Sequence, residues 1–440
     1  MWKRIWWAAA LAMVPAACGQ SWDGGAYLAG AIAGDTNHTL RLTVEQRGRY
    51  ESRTGTSFGE SPDAATGLYR TRLGLTWTPL PWLKFSGMMQ DARAPWYGPN
   101  APNTIRDPAD LEEGYIELFP SAQRGLGMNV GRMMVSYGDG RLIGIPDWSS
   151  LSRTYDEARV YWRARRLRVE FLAISPVKVL IGEFNRPNWG ERIWGSYNSL
   201  PGFTAEQSVD VYLLRHDQNR PGGFTGGSSK DGTDRLGTTT LGTRWTGPLT
   251  RGVQYTVEAA LQRGKAGPAS LSAGAFVGTV SRRWTMWGKP LNVLGEYKYA
   301  SGTDNPSDTL HSGTFDQISP ANHDKFGHED LFGWRNMHNA RSVVTLGITR
   351  AFALNFMYDD IWLASSKDGI YNSAGKLIAR SPTGAAGRHV GRETDVYGTW
   401  RFHHFTFGAG WGHLFTGGFL RATTPGVGPT YLYVFHTYSL

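Results

Sequence analysis

Arginine is the residue type that recurs where this chain could do chemistry. Between Gly131 and Arg159 it reads GRMMVSYGDGRLIGIPDWSSLSRTYDEAR, with Arg132, Arg141, Arg153 and Arg159 spread over both ends and the middle. A guanidinium group stays charged at physiological pH and pairs a carboxylate or phosphate through two parallel hydrogen bonds. Buried without a partner, it is very costly. The stretch reads as one long hairpin: a strand up to Tyr137, a glycine-rich loop holding Arg141, Asp147 and Trp148, and a second strand leaving through Arg153, Tyr155 and Asp156. So many arginines in a hairpin need wet or anionic surroundings. The wall of a water-filled transmembrane barrel that passes something negatively charged would supply them. The plainer alternative is that arginines and neighbouring acids neutralise each other and brace a polar interior.

The other concentration of reactive side chains is Ser301 to Asn339, with Asp304, Asp308, His311, Asp316, His323, Asp324, His328, Glu329, Asp330 and His338. It suggests an enzyme or a metal site, but the patterns are wrong. This stretch has no GxSxG, HDKFGH is not HExxH, and His323 and His328 are five apart, poor helical spacing for metal ligation. No catalytic residue, metal or cofactor is expected. A loop this long is functional or unstructured, and 303–339 is the best candidate for a segment folded into the lumen as a partial plug.

Ends and composition narrow the class. Lys3 and Arg4, an apolar run from Ile5 to Val14, and Pro15-Ala16-Ala17-Cys18-Gly19 read as a secretory signal over 1–19. The apolar run is too short to span a bilayer. Cys18 is the single cysteine, which rules out an internal disulfide framework. Cleavage near Gly19 would discard it, and lipidation would make it an anchor, although Pro15 stands where such signals favour a Leu-like residue. Mean hydropathy is −0.37 and no later segment can span as a helix, yet aromatics make up 13% and there are 56 glycines. Secreted, cysteine-poor and rich in glycine and aromatics is the profile of an outer-membrane β-barrel. A soluble extracellular β-protein is the alternative on composition alone. Formal net charge is +9; without Lys3 and Arg4, 44 basic and 37 acidic side chains leave +7. That is either a mildly basic surface or a positive lumen.

The elements that must hold the arginines are alternating strands, apolar side to lipid and polar side to lumen. Leu40, Leu42 and Val44 oppose Arg41, Thr43, Glu45, Arg47 and Arg49; Tyr69, Leu73, Leu75 and Trp77 oppose Arg70 and Arg72. Glu157, Arg159, Tyr161 and Arg163 face inward opposite Ala158, Val160 and Trp162. Arg168 and Glu170, then Arg244, Glu258, Glu296 with Lys298, Arg341, Asn355 with Asp359, and Glu393 through Asp395, Tyr397 and Thr399 to Arg401 continue the polar face. The tract Pro221 to Asp234 reads as a loop. The class is all-β: a transmembrane antiparallel β-barrel of about eighteen strands, with short periplasmic turns and long extracellular loops. The signal is followed by a periplasmic lead-in at 20–38 and a single barrel over 39–440. The lining also carries Glu45, Asp210 and the acids named above, so it is zwitterionic with a basic excess.

The pattern GR-x4-YGDGRLIG-x2-DW followed by RTYDEAR resembles the signature region of the alginate export porin family of bacterial outer membranes. RGRYE at 47–51 resembles that family's early strand, and FDQISPANHDKFGHEDLFGWRNMHNAR at 315–341 resembles a segment of some of its members. The resemblance implies an eighteen-stranded barrel with an arginine-rich constriction that conducts the polyanion alginate by diffusion. It makes Arg47, Arg49, Arg132 and Arg159 candidate constriction residues; Arg70 and Arg72 are added from alternation alone.

The expected function is a passive anion-preferring channel, exporting or admitting anionic polysaccharides or smaller carboxylate solutes. Candidate pore-lining residues are Arg47, Arg49, Arg70, Arg72, Arg132, Arg141, Arg153, Glu157, Arg159, Arg163, Lys298, Arg341 and Arg401. Expected partners are outer-membrane lipid and lipopolysaccharide, the anionic solute and the barrel-assembly machinery, with no nucleic acid and a monomeric state. The rivals are an enzyme or adhesin on a barrel scaffold, and an energised transporter with a plug domain. The latter would need more than the roughly twenty residues expected between the cleavage site and the first strand.

Overall fold

The structure, a computed structural model, describes residues 39–440 except 61–63, 98–100, 121–123, 205 and 220–234. The expected signal, the lead-in, Cys18 and the tract Pro221 to Asp234 lie outside the described residues.

Eighteen strands form one closed antiparallel cylinder. They are Thr39–Thr54, Ala64–Leu80, Leu83–Arg93, Asp107–Leu118, Gly125–Met133, Tyr155–Ala164, Leu167–Lys178, Glu191–Thr204, Gln207–Asn219, Arg235–Thr250, Val253–Ala266, Ala269–Met286, Lys289–Ala300, Met337–Gly347, Phe352–Leu363, His389–Phe402, Phe405–Thr416 and Thr430–Ser439. Each pairs with the next, and the last pairs with the first, placing Thr437 opposite Arg47 and Tyr431 opposite Arg53. Closure leaves no strand edge, which a bilayer requires because it offers backbone groups no water.

Alternation sets the two faces. Leu40, Leu42, Leu73, Leu75, Trp77, Val160, Phe171, Leu213, Leu241 and Leu261 are exposed, while Glu45, Arg47, Arg49, Arg70 and Arg72 are buried. Trp77, Trp82, Trp162, Trp245, Trp284, Trp287 and Trp400 gather outside the short-turn end; Trp96, Tyr97, Phe184, Trp189 and Trp194 gather toward the long-loop end. Such girdles mark the two interfaces of a bilayer.

Three inward tyrosines lie flat over glycines of the neighbouring strand. Tyr161, Tyr212 and Tyr433 stand directly opposite Gly127, Gly242 and Gly410. In each case a Cβ on the glycine would run into the phenol ring. The aromatic covers the backbone that glycine leaves bare and pins the register.

Some local readings need correction. The hairpin strand ends at Met133, not Tyr137. Gly138 and Gly140 take left-handed backbone angles there, and Val135, Leu142 and Ile143 are buried. Apolar side chains in that segment need cover, so 134–154 turns into the cylinder. Strand Asp107–Leu118 is irregular. Ala109 has φ 51°, and the pairing shifts between Met88 and Met89, which breaks the alternation that marks a strand in sequence. One long-loop-end connection is only Gly267-Pro268.

The interior is also less uniformly polar than strict alternation predicts. Leu172, Ile174, Ile193, Leu214, Leu236, Leu271, Val277, Ile361 and Leu363 point inward. They pack against 134–154 and 301–336, whose Phe315, Phe326, Phe332 and Trp334 are fully buried. The two segments pair with each other through a parallel bridge between Ile143 and Ser319. Backbone bonds Gly144 N to Ser319 O at 3.0 Å and Ser319 N to Leu142 O at 2.8 Å hold that bridge.

Candidate functional site

Strand register creates an electrostatic problem that the inward loop answers. Arg47 and Arg70 are direct partners on the first two strands, and Glu45 is opposite Arg72. Like charges directly opposed on one face repel, and burial removes the water that would screen them. The Asp147 carboxylate meets all three arginines: Arg70 at 3.0 Å, Arg72 at 2.9 Å and Arg47 at 4.0 Å. Ser152 Oγ adds a hydrogen bond to Asp147 at 2.7 Å. Burial would raise this carboxyl, but Arg70, Arg72 and Arg47 outweigh it and hold it well below the usual carboxylate range.

The rest of the loop completes the cluster. Arg47 donates to the carbonyls of Asp147 at 2.6 Å and Ser149 at 2.7 Å. Arg49 donates to the Trp148 carbonyl and lies 4.3 Å over the Trp148 ring. Glu45 pairs Arg70 at 2.6 Å, and Glu112 pairs Arg72 at 3.1 Å. Gln90 bridges them, accepting from Arg72 at 2.8 Å and donating to Glu112 at 3.0 Å. Chemically this is a carboxylate receptor of three guanidinium groups whose occupant belongs to the chain itself.

The remaining predicted residues do not join that cluster. Arg132 grips Asp156 through two bonds of 2.9 and 3.0 Å and donates to the Asn185 carbonyl. Arg159 pairs Glu157 at 2.7 Å and Glu170 at 3.5 Å. Arg141 pairs Asp139 at 2.5 Å and also Glu296, which in turn holds Lys298 at 2.9 Å. Arg341 lies 3.9 Å from Asp359. Arg153 donates to the Pro320 carbonyl, joining the two inward segments. Arg163, half-buried, packs on Tyr161 near the short-turn end. The four arginines singled out by resemblance therefore fall in three places, not one ring.

Arg401 is a correction: it is exposed. It keeps inward parity with Tyr397 and Thr399, but lies beside the Phe402–Phe405 turn, where the strand leaves the wall and no interior remains to line.

Beside the cluster lies a packed aromatic group. His323 stacks on Trp148 at 4.5 Å, and Trp148 meets Tyr433 and Phe435 edge-on. His323 accepts or donates a 2.8 Å bond with Asp330. Burial pushes His323 down to about 3 and Asp330 up to about 7. Burial and the nearby Glu393 push Glu329 up to about 9. Among the described residues no group of three His, Cys, Asp or Glu side chains is placed to hold a metal ion.

Sequence reasoning placed Asp147 and Trp148 in the loop but did not assign Asp147 to the site, and it missed Gln90, Glu112 and Ser152. Alternation gives a strand residue's face but not where a loop residue comes to rest. The one available signal was DW directly after a glycine-rich turn.

The comparisons agree with this architecture. The family model for alginate export matches residues 38–433. No curated protein matches the sequence. Among solved structures, the chain is similar to Pseudomonas aeruginosa OccK11 (OpdR), with TM-score 0.61, 10% identity, and 91% of this chain and 96% of that chain covered. P. aeruginosa OpdK with vanillate gives TM-score 0.60, 8% identity, and 91% and 98% coverage. P. aeruginosa OccD3 (OpdP) gives 0.59, 11%, and 93% and 94%. At such identities the likeness establishes the fold alone, while the family match spans nearly the whole chain. This chain belongs to the alginate export family and is an outer-membrane β-barrel channel, not an enzyme.

Proposed function

We propose that the channel is passive, prefers anions, and carries carboxylate-bearing saccharides of the uronate type or similar small acids. The observation that carries this reading is the Arg47, Arg70 and Arg72 cluster closing on the Asp147 carboxylate. A site that stabilises one carboxylate is chemically suited to another. Rings of basic groups lower the barrier for anions, provided each site is weak enough to release them. Glu45 and Glu112 beside the arginines supply that weakening, because they already spend part of each guanidinium's hydrogen-bonding capacity. Arg132, Arg141 and Arg159, spread along the interior and paired with acids, would give several modest sites in series. The solved OpdK complex contains vanillate, itself a carboxylate, which agrees with this substrate class.

Liposome swelling tests the reading. Proteoliposomes diluted into isosmotic glucuronate or galacturonate should swell faster than those diluted into neutral sugars of equal size. Equal or slower swelling in the uronates would overturn it.

A further inference from the structure

The outer wall carries a second collection of cations that the channel reading does not use. At the long-loop end, Arg192, Arg215, Arg235 and Lys265 border a cleft of about 860 Å³ together with Trp194, Asp217 and Gly237. Strand register arranges them in rows. Ser196, Leu213, Leu241 and Leu261 form one outward row across four strands. Two residues further toward the long loops, Trp194, Arg215, Thr239 and Arg263 form the next. Two residues further again come Arg192, Asp217, Gly237 and Lys265. Same-face rows are about 7 Å apart along a strand, so the cations begin one pleat beyond the exposed leucines.

The charge is strongly one-sided. Of these cleft cations, only Arg215 has a carboxylate within ion-pair distance among the described residues, Asp217 at 2.7 Å. Arg192, Arg235, Arg263 and Lys265 are exposed. Gly237 forms the floor: a Cβ there would strike the Arg215 guanidinium, which lies across it and donates to Thr239 Oγ1 at 3.3 Å. Trp194 donates to Asp217 at 3.2 Å with its ring in the wall, the posture of an interfacial tryptophan.

We infer that this cleft binds the phosphorylated headgroup of an outer-leaflet glycolipid of the lipid A type, with its acyl chains on the Leu213, Leu241 and Leu261 surface. The geometry asks for an amphiphile whose anionic groups stand directly above hydrocarbon, because cationic rows and leucine rows are continuous on one face. Arginine pairs phosphate bidentately and lysine meets it as a point charge. The cleft faces away from the interior, so its occupant comes from the membrane and not from the transported solute.

The test uses the full-length channel in detergent, with native mass spectrometry counting bound lipid. Bis-phosphorylated lipid A should form a discrete adduct. Removing both phosphates from the lipid should weaken it at least tenfold, as should the triple variant Arg192→Gln, Arg235→Gln, Lys265→Gln. Phosphatidylglycerol and inorganic phosphate at the same concentration should not displace it. Equal retention of dephosphorylated lipid A would overturn the inference, as would displacement by phosphatidylglycerol or phosphate. Equal binding by a folded triple variant, judged by its heat-shifted electrophoretic mobility, would overturn it too. The wild-type lipid series decides the matter even if the variant does not fold.

Discussion

At the scale of single residues, the decisive feature is that Arg47 and Arg70 are forced face to face by register. Two buried guanidinium groups in that position require an anion, and Asp147 provides it from a loop 77 residues beyond Arg70. Removing one partner of a buried ion pair costs about 3–5 kcal/mol, because the other charge is left uncompensated. Asp147→Asn should therefore lower resistance to chemical unfolding by an amount of that order. Adding Arg70→Gln should restore part of it, since the repulsion is then relieved; strictly additive losses in that double-mutant cycle would show that the two groups do not communicate. The pH sign follows from the depressed carboxyl. A lowered folded-state value contributes stability above the unfolded value, and that contribution disappears only as pH falls through the folded one. The Asp147 contact should thus survive mild acidification to pH about 4, near the ordinary Asp value.

At the scale of elements, the two inward segments have opposite legibility. That 131–159 matters was visible in its arginines, and inward positions such as Glu157, Arg159 and Tyr161 followed from period-two alternation. The point where strand gives way to loop was not visible, because Met134 and Val135 continue an apolar run and only the left-handed glycines end it. For 301–336 the sequence offered a segment folded into the lumen but not what holds it there: Phe315, Phe326, Phe332 and Trp334 bury it against inward-facing leucines and isoleucines. No local pattern distinguishes aromatics that seek a core across the barrel from aromatics in an exposed loop. Titration should expose how this segment is held. Glu329 is buried, its N–H donates to Glu393 at 3.0 Å and its carbonyl accepts from Arg53 at 2.8 Å. A raised carboxyl contributes most below its unfolded value, and the contribution is lost as pH rises to the folded value of about 9. Asp330 is half-titrated at about 7, so its own contribution fades just above that, and His323, depressed to about 3, stays neutral in this range. Between pH 7 and 9, protection of 301–336 from protease should fall by about 1.4 kcal/mol per unit, and Glu329→Gln should flatten the trend. A wild-type profile flat over that range would contradict the assignment. If the segment obstructs the bore, replacing 306–334 with a short turn should raise single-channel conductance; unchanged conductance would reject that role.

At the scale of the whole molecule, a closed cylinder of about eighteen strands was legible because each strand repeats the same two-residue code. The lining was legible as a composition, arginines and acids on one face, but not as a set of partners, which depends on how far each strand is sheared past its neighbour. The structure resolves that lining into separate ion-pair groups: Arg47, Arg70 and Arg72 on Asp147, Arg132 on Asp156, Arg141 on Glu296, and Arg159 on Glu157. Acids offset much of the positive charge, so the anion preference proposed above would arise from the excess of bases and from where it is concentrated. The central claim is that this excess governs which ions pass. Reversal potential across a planar bilayer holding the purified channel in a potassium chloride gradient tests it most directly. The account predicts a potential displaced toward the chloride equilibrium value; displacement toward the potassium value would contradict it.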